Sequence, residues 1–493
     1  MSLDEALDPL VLALDIGSTA SRGDIYDAAA RPVQGGPHKV AHQFRTAADG
    51  TSTLDADQVV GEVHEIITSL LSPRLAGRVR GVALDTFAAS LVGVGPDGRA
   101  CTPCFTYADS RCAAQVVALR RELDEAAVHQ RTGCRLHSSY LAPRLRWLRE
   151  TDPDTFRRAE RWMSLGEYVY LQTLGTTAAG TSTAAWTGLL DRRTGEWDPE
   201  LLAAAGVTAE QLSPVRDPDQ PLAGTGAAAT RWPGLADAVW FPVVADGLSS
   251  NLGVGAADES ATAAAAATSG AMRVLLHEQP AELPSGLWCY RVDASRSLLG
   301  GAVNDVGRAV SWWETTVQLQ PGENADDIAG AAPDPRTPLV LPYFSGERAT
   351  GWAADARAVF SGVSPATTGS MLVRGVLEGV AISYARIAEQ LRSVAGQPQL
   401  ILASGRVSQD LPSWLQLLAD VLDAPVVPVT TKRSTLRGTA VLALEVLAPD
   451  VTRAAPATGA ALTPVADRAA YYRDRREQYQ RLYAATVAPA AEG

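Results

Sequence analysis

Residues 10–27 read LVLALDIGSTASRGDIYD. An apolar run from Leu10 ends on Asp15, passes through Gly17, Ser18 and Thr19, and resumes as an alternating segment from Gly23. A buried strand that meets such residues has two readings. One is a plain hairpin, whose turn needs small and hydroxyl-bearing residues. The other is a phosphate site. There, exposed backbone N–H groups and the two hydroxyls meet the anion, and Asp15 holds hydrated Mg²⁺. The rest of the chain has to decide.

At 493 residues the chain is too long for one core, so two domains are expected. With 46% hydrophobic and 20% charged residues, the composition is that of an ordinary globular protein. A formal charge of −12 argues against nucleic acid or an anionic membrane surface as partner. The only lysines are Lys39 and Lys432, which excludes a Walker GxxxxGK[ST] loop, a VAIK-type kinase lysine and an SxxK pair. Five cysteines, at 101, 104, 112, 134 and 289, form no disulfide framework. Cys101 and Cys104 make a lone CxxC, with Cys112 as a conceivable third ligand. No second CxxC or paired His follows at zinc spacing, so a reduced loop is the expectation. The acidic start MSLDEALDPL has no signal-peptide core and no long apolar stretch spans a membrane, so a cytoplasmic protein is expected.

The opening hairpin leads into an extended run, HKVAHQFRT, and then a helical pattern, DADQVVGEVHEIITSLL. VRGVALD is a second apolar strand ending on an Asp, and LVGVGPDGR a strand into a Pro-Asp-Gly turn. Hairpin strands before the first helix make this a mixed α/β pattern rather than a purely doubly wound one. Residues 109–206 are mostly helical and 213–242 are loop-rich. The domain junction is expected at WFPVVADGLSSNLGVGAA, residues 240–257. The theme then restarts: ATAAAAATSGAMRVLL gives strand, Thr-Ser-Gly turn and strand. A long helix, MLVRGVLEGVAISYARIAEQLRSV, follows, then the strand and small-residue turn of PQLILASGRVSQD, and the helices LPSWLQLLADVLD and GTAVLALEVL. Two halves that each open on such a hairpin suggest two related domains facing a cleft.

This repeat favours the phosphate reading. Thr268, Ser269 and Gly270 supply a second small-hydroxyl turn, and two such turns clamp a triphosphate without a lysine. Gly405 follows a strand and lets a flat base approach the backbone. Transfer to an alcohol also needs a carboxylate that orients the hydroxyl and takes its proton. Asp246 is the candidate; its competing role is to cap a helix start.

The segments LALDIGSTASR, TYADSR, SLGEYVY, VVADGLSSNLGVGA, LPYFSGERATGWAADARAVFSG and RGVLEGVAISY occur in the order found in the FGGY carbohydrate kinases. The chain resembles that family over nearly its whole length, and most of all its gluconate kinase branch. The resemblance implies two ribonuclease-H-like domains of the sugar kinase, Hsp70 and actin superfamily around a central cleft. Residues 1–245 would be the sugar-binding side and 246–493 the nucleotide-binding side. It implies ATP and Mg²⁺, a small sugar, sugar acid or polyol as acceptor, and a homodimer as the assembly to test. By position, Asp246 matches the catalytic Asp, which also meets the substrate, and Asp15 the Mg²⁺-associated Asp, acting through water. Ser18, Thr19 and Arg22 match the first phosphate loop, Thr268 with Ser269 and Gly270 the second, and Gly405 the adenosine motif. Asp109 and Arg111 match the pair of the W-x-D-x-R sugar-binding motif, and Glu167 a KEY-type segment in which it packs the helix or meets the ligand. Some positions depart from the pattern. Ala88 and Ala89 stand where relatives carry Met-His, Tyr107 replaces Trp, Ala267 replaces Gly, and Ala403-Ser404 precede Gly405. The phosphate machinery is kept and the sugar pocket is rebuilt.

Two classes therefore compete: an ATP-dependent sugar or sugar-acid kinase, and a catalytically altered sensor or pseudokinase. Asp246 with Asp109 and Arg111 favours the first, and the two alanines favour the second. A serine hydrolase is excluded by the absence of GxSxG and of a triad context for the six histidines.

Overall fold

The structure is a computed structural model and describes residues 1–33 and 36–487. The described residues form two compact units that are discontinuous in sequence. The first takes the described residues of Met1–Gly253 with Cys289–Leu298 and Lys432–Ala455; the second takes Val254–Trp288, Leu299–Thr431 and 456–487.

The central sheet of the first unit runs in the order His38–Ala41, Ala20–Tyr26, Leu10–Ile16, Val79–Thr86 and Val239–Trp240, with Val244–Ala245 also pairing with Val79–Thr86. The first three strands are antiparallel neighbours. Val79–Thr86 lies parallel to Leu10–Ile16, and the two short strands lie parallel to Val79–Thr86. Strand Leu10–Ile16 is buried along its whole length because each face is covered. Its even positions, Leu10, Leu12, Leu14 and Ile16, join a core with Val59, Val63, Ile66 and Ile67 of helix Ala56–Leu70. Its odd positions, Val11 and Ala13, pack with Leu436, Ala440, Ala443 and Leu444 of helix Ser434–Leu447. The period-2 alternation of a strand thus sends Asp15 to the side of the late helix.

The second unit repeats the plan. Strands Gly270–Leu276, Ala261–Ala266, Leu400–Ser404 and Val426–Pro428 stand in that order. Again an antiparallel hairpin is followed by parallel strands. Helix Gly369–Ala395 supplies a long buried face, and the Trp414 indole N–H donates to the Leu377 carbonyl at 3.1 Å. Within the mostly helical residues 109–206, Ala113–Glu122 and Glu125–Thr132 are separate helices, because the Asp124 carboxylate accepts from the Ala127 N–H and starts a new helix. Among the described residues no helix is long and apolar enough to cross a membrane.

Candidate active site

Three carboxylates converge at the carboxyl edge of the first sheet. Parallel register sets Asp15 beside Asp85, and Val244 and Ala245 beside Asp85 and Thr86. Asp246 is the next residue, at the first position of helix Asp246–Gly253. Ligands of open α/β sheets gather at this edge, where strands end and helix N-termini begin. Asp15 is 7% exposed and accepts from Arg22 Nη1 at 3.0 Å. Burial pushes its carboxyl up, against the charge and hydrogen bond of Arg22. Asp85 is fully buried. Burial, followed by the charge of Asp15, pushes it well above the carboxylate range, and Asp246 adds to the push. The Thr439 hydroxyl of helix Ser434–Leu447 donates to Asp85 and lies 3.0 Å from the Ser249 hydroxyl. Asp85 is therefore wedged against two carboxylates whose charges disfavour its ionised form.

Asp85 is a residue that sequence reasoning passed over. Its signal was present, since VRGVALD ends on a carboxylate just as LVLALD does. What could not be read was that the two strand ends are adjacent.

The turn at Gly17, Ser18 and Thr19 closes the hairpin of Leu10–Ile16 and Ala20–Tyr26. The Gly17 N–H donates to the Ala20 carbonyl at 3.0 Å, and Thr19 is exposed. In the second unit the matching turn, Ala267 to Ser269, is exposed. Its Ala267 and Thr268 carbonyls accept from the N–H groups of Gly307 and Arg308 at 2.8 and 3.1 Å. A planar trans peptide points its N–H opposite its carbonyl, so tying the carbonyls back turns the N–H groups of Thr268 and Ser269 outward, ready for an anion. Two glycines are required here. A Cβ on Gly270 would lie 1.9 Å from the Tyr384 hydroxyl. Gly405 has φ +105, and its Cβ would lie 2.4 Å from the Ala266 carbonyl oxygen. Parallel pairing of Ala265 with Ser404 brings Gly405 to the same sheet edge as the Thr268 turn.

Asp109 and Arg111 are together, but they face each other. Arg111 donates to the Asp109 carboxylate at 3.1 and 2.7 Å, and Asp109 also accepts from the Ser52 N–H at 3.0 Å. The Asp109 side chain is 1% exposed and that of Arg111 is 22% exposed. The guanidinium lies 4.4 Å over the Trp147 ring. Phe44, Phe87 and Tyr107 form edge-to-face contacts, and Tyr107 is 40% exposed. Ala89 adopts φ +53, and its carbonyl accepts from the fully buried Arg144 at 2.7 Å. Glu167 is buried and closes a capping box with Ser164, which makes it a helix-start residue. Cys104 and Cys112 are buried as well, and burial pushes the Cys104 thiol up to about 12.

Two family patterns match the chain. The FGGY family of carbohydrate kinases, N-terminal domain, matches residues 10–253, and the C-terminal domain of the same family matches residues 263–445. The chain is 23% identical over 448 residues to a gluconokinase of Bacillus subtilis, covering 88% of this chain and 87% of the relative. Two solved structures from Lactobacillus acidophilus superpose on it, each at a TM-score of 0.89 and 26% identity. One is a gluconate kinase, covering 97% of this chain and 98% of the other; the second is a ligand-bound xylulose kinase, covering 98% and 99%.

Proposed function

The chain belongs to the FGGY family of carbohydrate kinases, phosphotransferases that use ATP and an alcohol group as acceptor, and from that premise we propose its acceptor and the roles of its residues. The acceptor is a small sugar acid or polyol, with gluconate the first to test, because gluconokinases are among its relatives. The observation that carries the assignment of roles is the row of Asp15, Asp85 and Asp246 on neighbouring strand ends. Asp246 is the catalytic base. The acceptor O–H gives its proton to the Asp246 carboxylate, the acceptor oxygen bonds to the γ-phosphorus, and the bond to the β-phosphate oxygen breaks to leave ADP. Ser18, Thr19 and Arg22 hold phosphate oxygens, as do Thr268, Ser269 and Gly270, while Gly405 makes room for the adenosine.

The carboxylate row fits a divalent cation. Asp15 and Asp85 are buried with Arg22 as the one cationic hydrogen-bond partner of Asp15, so the ionised forms are short of positive charge. Asp15 would hold Mg²⁺ through water. A bound Mg²⁺ would supply neutralisation of the phosphate charge. On the acceptor side the partly buried Arg111 reaches the substrate, and buried Asp109 orients it. A guanidinium fork suits a carboxylate, which favours a sugar acid. The rebuilt wall of Phe44, Phe87, Tyr107, Ala88 and Ala89 sets which one.

The test is ADP release measured against gluconate, ketopentoses, pentitols and tetritols. A sugar acid should give the highest kcat/KM. Preference for an uncharged polyol would overturn the role given to Arg111, and ATP binding without any turnover would overturn the kinase assignment of these residues.

A further inference from the structure

The chain holds two lysines, and neither is near the first phosphate turn in sequence. Lys39 pairs across the strands with Arg22, and directly behind the turn lies a buried histidine ring. His42 follows strand His38–Ala41, and its side chain has no exposed surface. Its backbone N–H donates to the Thr19 carbonyl at 3.1 Å. Its ring Nε2 lies 2.8 Å from the Gly17 carbonyl oxygen, and its Nδ1 lies 2.9 Å from Glu62 Oε2.

Donor counting constrains the ring. A carbonyl oxygen only accepts, so Nε2 must carry a proton. Glu62 is 5% exposed and also accepts from the Ser21 hydroxyl at 2.7 Å and the Gln58 amide at 2.8 Å. Burial pushes its carboxyl up, but these hydrogen bonds, with that of His42 the largest, outweigh burial and hold it below the usual range. An ionised Glu62 only accepts, so Nδ1 carries a proton too. A ring that donates from both nitrogens is an imidazolium.

Geometry gives this cation a task. His42 draws the Gly17 carbonyl inward through its ring and the Thr19 carbonyl inward through its backbone. Planarity of the Gly17–Ser18 peptide then turns the Ser18 N–H away from His42, toward the open side of the turn. Gly307 and Arg308 do the same for the second turn with backbone N–H groups alone. The first turn uses a charged ring.

We propose that His42, as an imidazolium paired with Glu62, is a positioning residue of the first phosphate turn. It fixes the peptide orientation and places a positive charge behind the loop, where the phosphate chain of the nucleotide binds. This rests on the kinase reading above. The charge-assisted hydrogen bond to Gly17 is the interaction at stake.

The experiment compares ADP and adenosine binding, by calorimetry, in the parent protein and in His42→Gln and Glu62→Gln. It also uses ¹⁵N spectra of the histidine rings, of which there are six. The parent should show a His42 ring protonated on both nitrogens. His42→Gln, which keeps a donor toward Gly17 but no charge, should weaken ADP about 10-fold or more while adenosine binding stays within about twofold. Glu62→Gln should return the ring to a neutral tautomer and weaken ADP in the same way. Should His42→Gln fail to fold, Glu62→Gln and the parent spectrum carry the test. A neutral His42 in the parent, or equal losses for ADP and adenosine, would overturn the proposal and leave the pair a packing feature. A parent that binds no ADP would instead sink the kinase reading, while the spectrum still reports the state of the ring.

Discussion

A carboxylate at the first position of helix Asp246–Gly253 can orient an alcohol and take its proton, whereas the amide of Asp246→Asn can do only the first. An Asp with a pKa near ~3.9 is a weak base, but in a loose phosphoryl transfer the attacking hydroxyl becomes acidic late, so a weak base suffices. Asp246→Asn should lose ~10²–10⁴-fold in kcat with nucleotide affinity unchanged, as read by steady-state kinetics and ADP titration. A parent-like kcat would return Asp246 to the role of a helix start. Asp109→Ala should raise the KM of the sugar and leave that of ATP alone, since Asp109 holds Arg111; unchanged sugar kinetics would remove the pair from the acceptor site. A third residue gives a pH test. Asp24 is buried and pushed up to about 6 by burial, against the Ile25 N–H and the charge of Arg433. Unfolded, it titrates near ~3.9. Its contribution to stability is therefore complete below ~3.9 and is lost as pH rises through about 6. Asp24→Asn removes that dependence. Relative to the parent it should gain stability between pH 4 and 7, by up to roughly 3 kcal/mol for a shift of about two units, measured by urea unfolding at both pH values. At this scale the sequence showed Asp15, Asp85 and Asp246 each ending an apolar run. It did not show that they share a sheet edge or that His42 meets Glu62, because those neighbours lie far along the chain.

Helices Asp246–Gly253 and Ser434–Leu447 touch through glycines. A Cβ on Gly438 would lie 1.7 Å from the Ser249 carbonyl oxygen, and one on Gly253 would lie 1.7 Å from that of Ser434. This backbone approach brings Thr439 to Asp85 and Ser249. Gly438→Ala must push the two helices apart, and overpacking of this kind typically costs ~1–3 kcal/mol. Because Asp246 opens one of the two helices, the same substitution should lower both the apparent Tm and kcat. A variant with a parental Tm in calorimetry would show that the contact has slack. The sequence announced the helix of GTAVLALEVL and offered Asp246 as a helix start, but not that the two helices are partners, since Gly253 and Gly438 lie far apart in the chain.

The first unit is completed from a distance. Val11, Ala13, Ala83 and Phe241 on one face of its sheet are covered by Leu436, Ala440, Ala443 and Leu444. A fragment of residues 1–253 should therefore expose that face and aggregate, whereas the same fragment with 432–455 joined by a flexible linker should be soluble and melt cooperatively. A soluble, cooperatively melting 1–253 fragment would show that the late helix is dispensable. Local chemistry was enough to reveal two α/β halves, each opening on a hairpin with a small-hydroxyl turn. These are properties of short segments: strand alternation, turn residues, a carboxylate ending an apolar run. Tertiary structure alone decided three things: the pairing of Asp15 with Asp85, the mutual embrace of Asp109 and Arg111, and the placing of Ser434–Leu447 on the first sheet. The physical reason is common to all three. Parallel strand register, burial of a charge and the covering of a sheet face are set by the chain's path in space, and the period of a segment carries no record of which distant segment will lie against it.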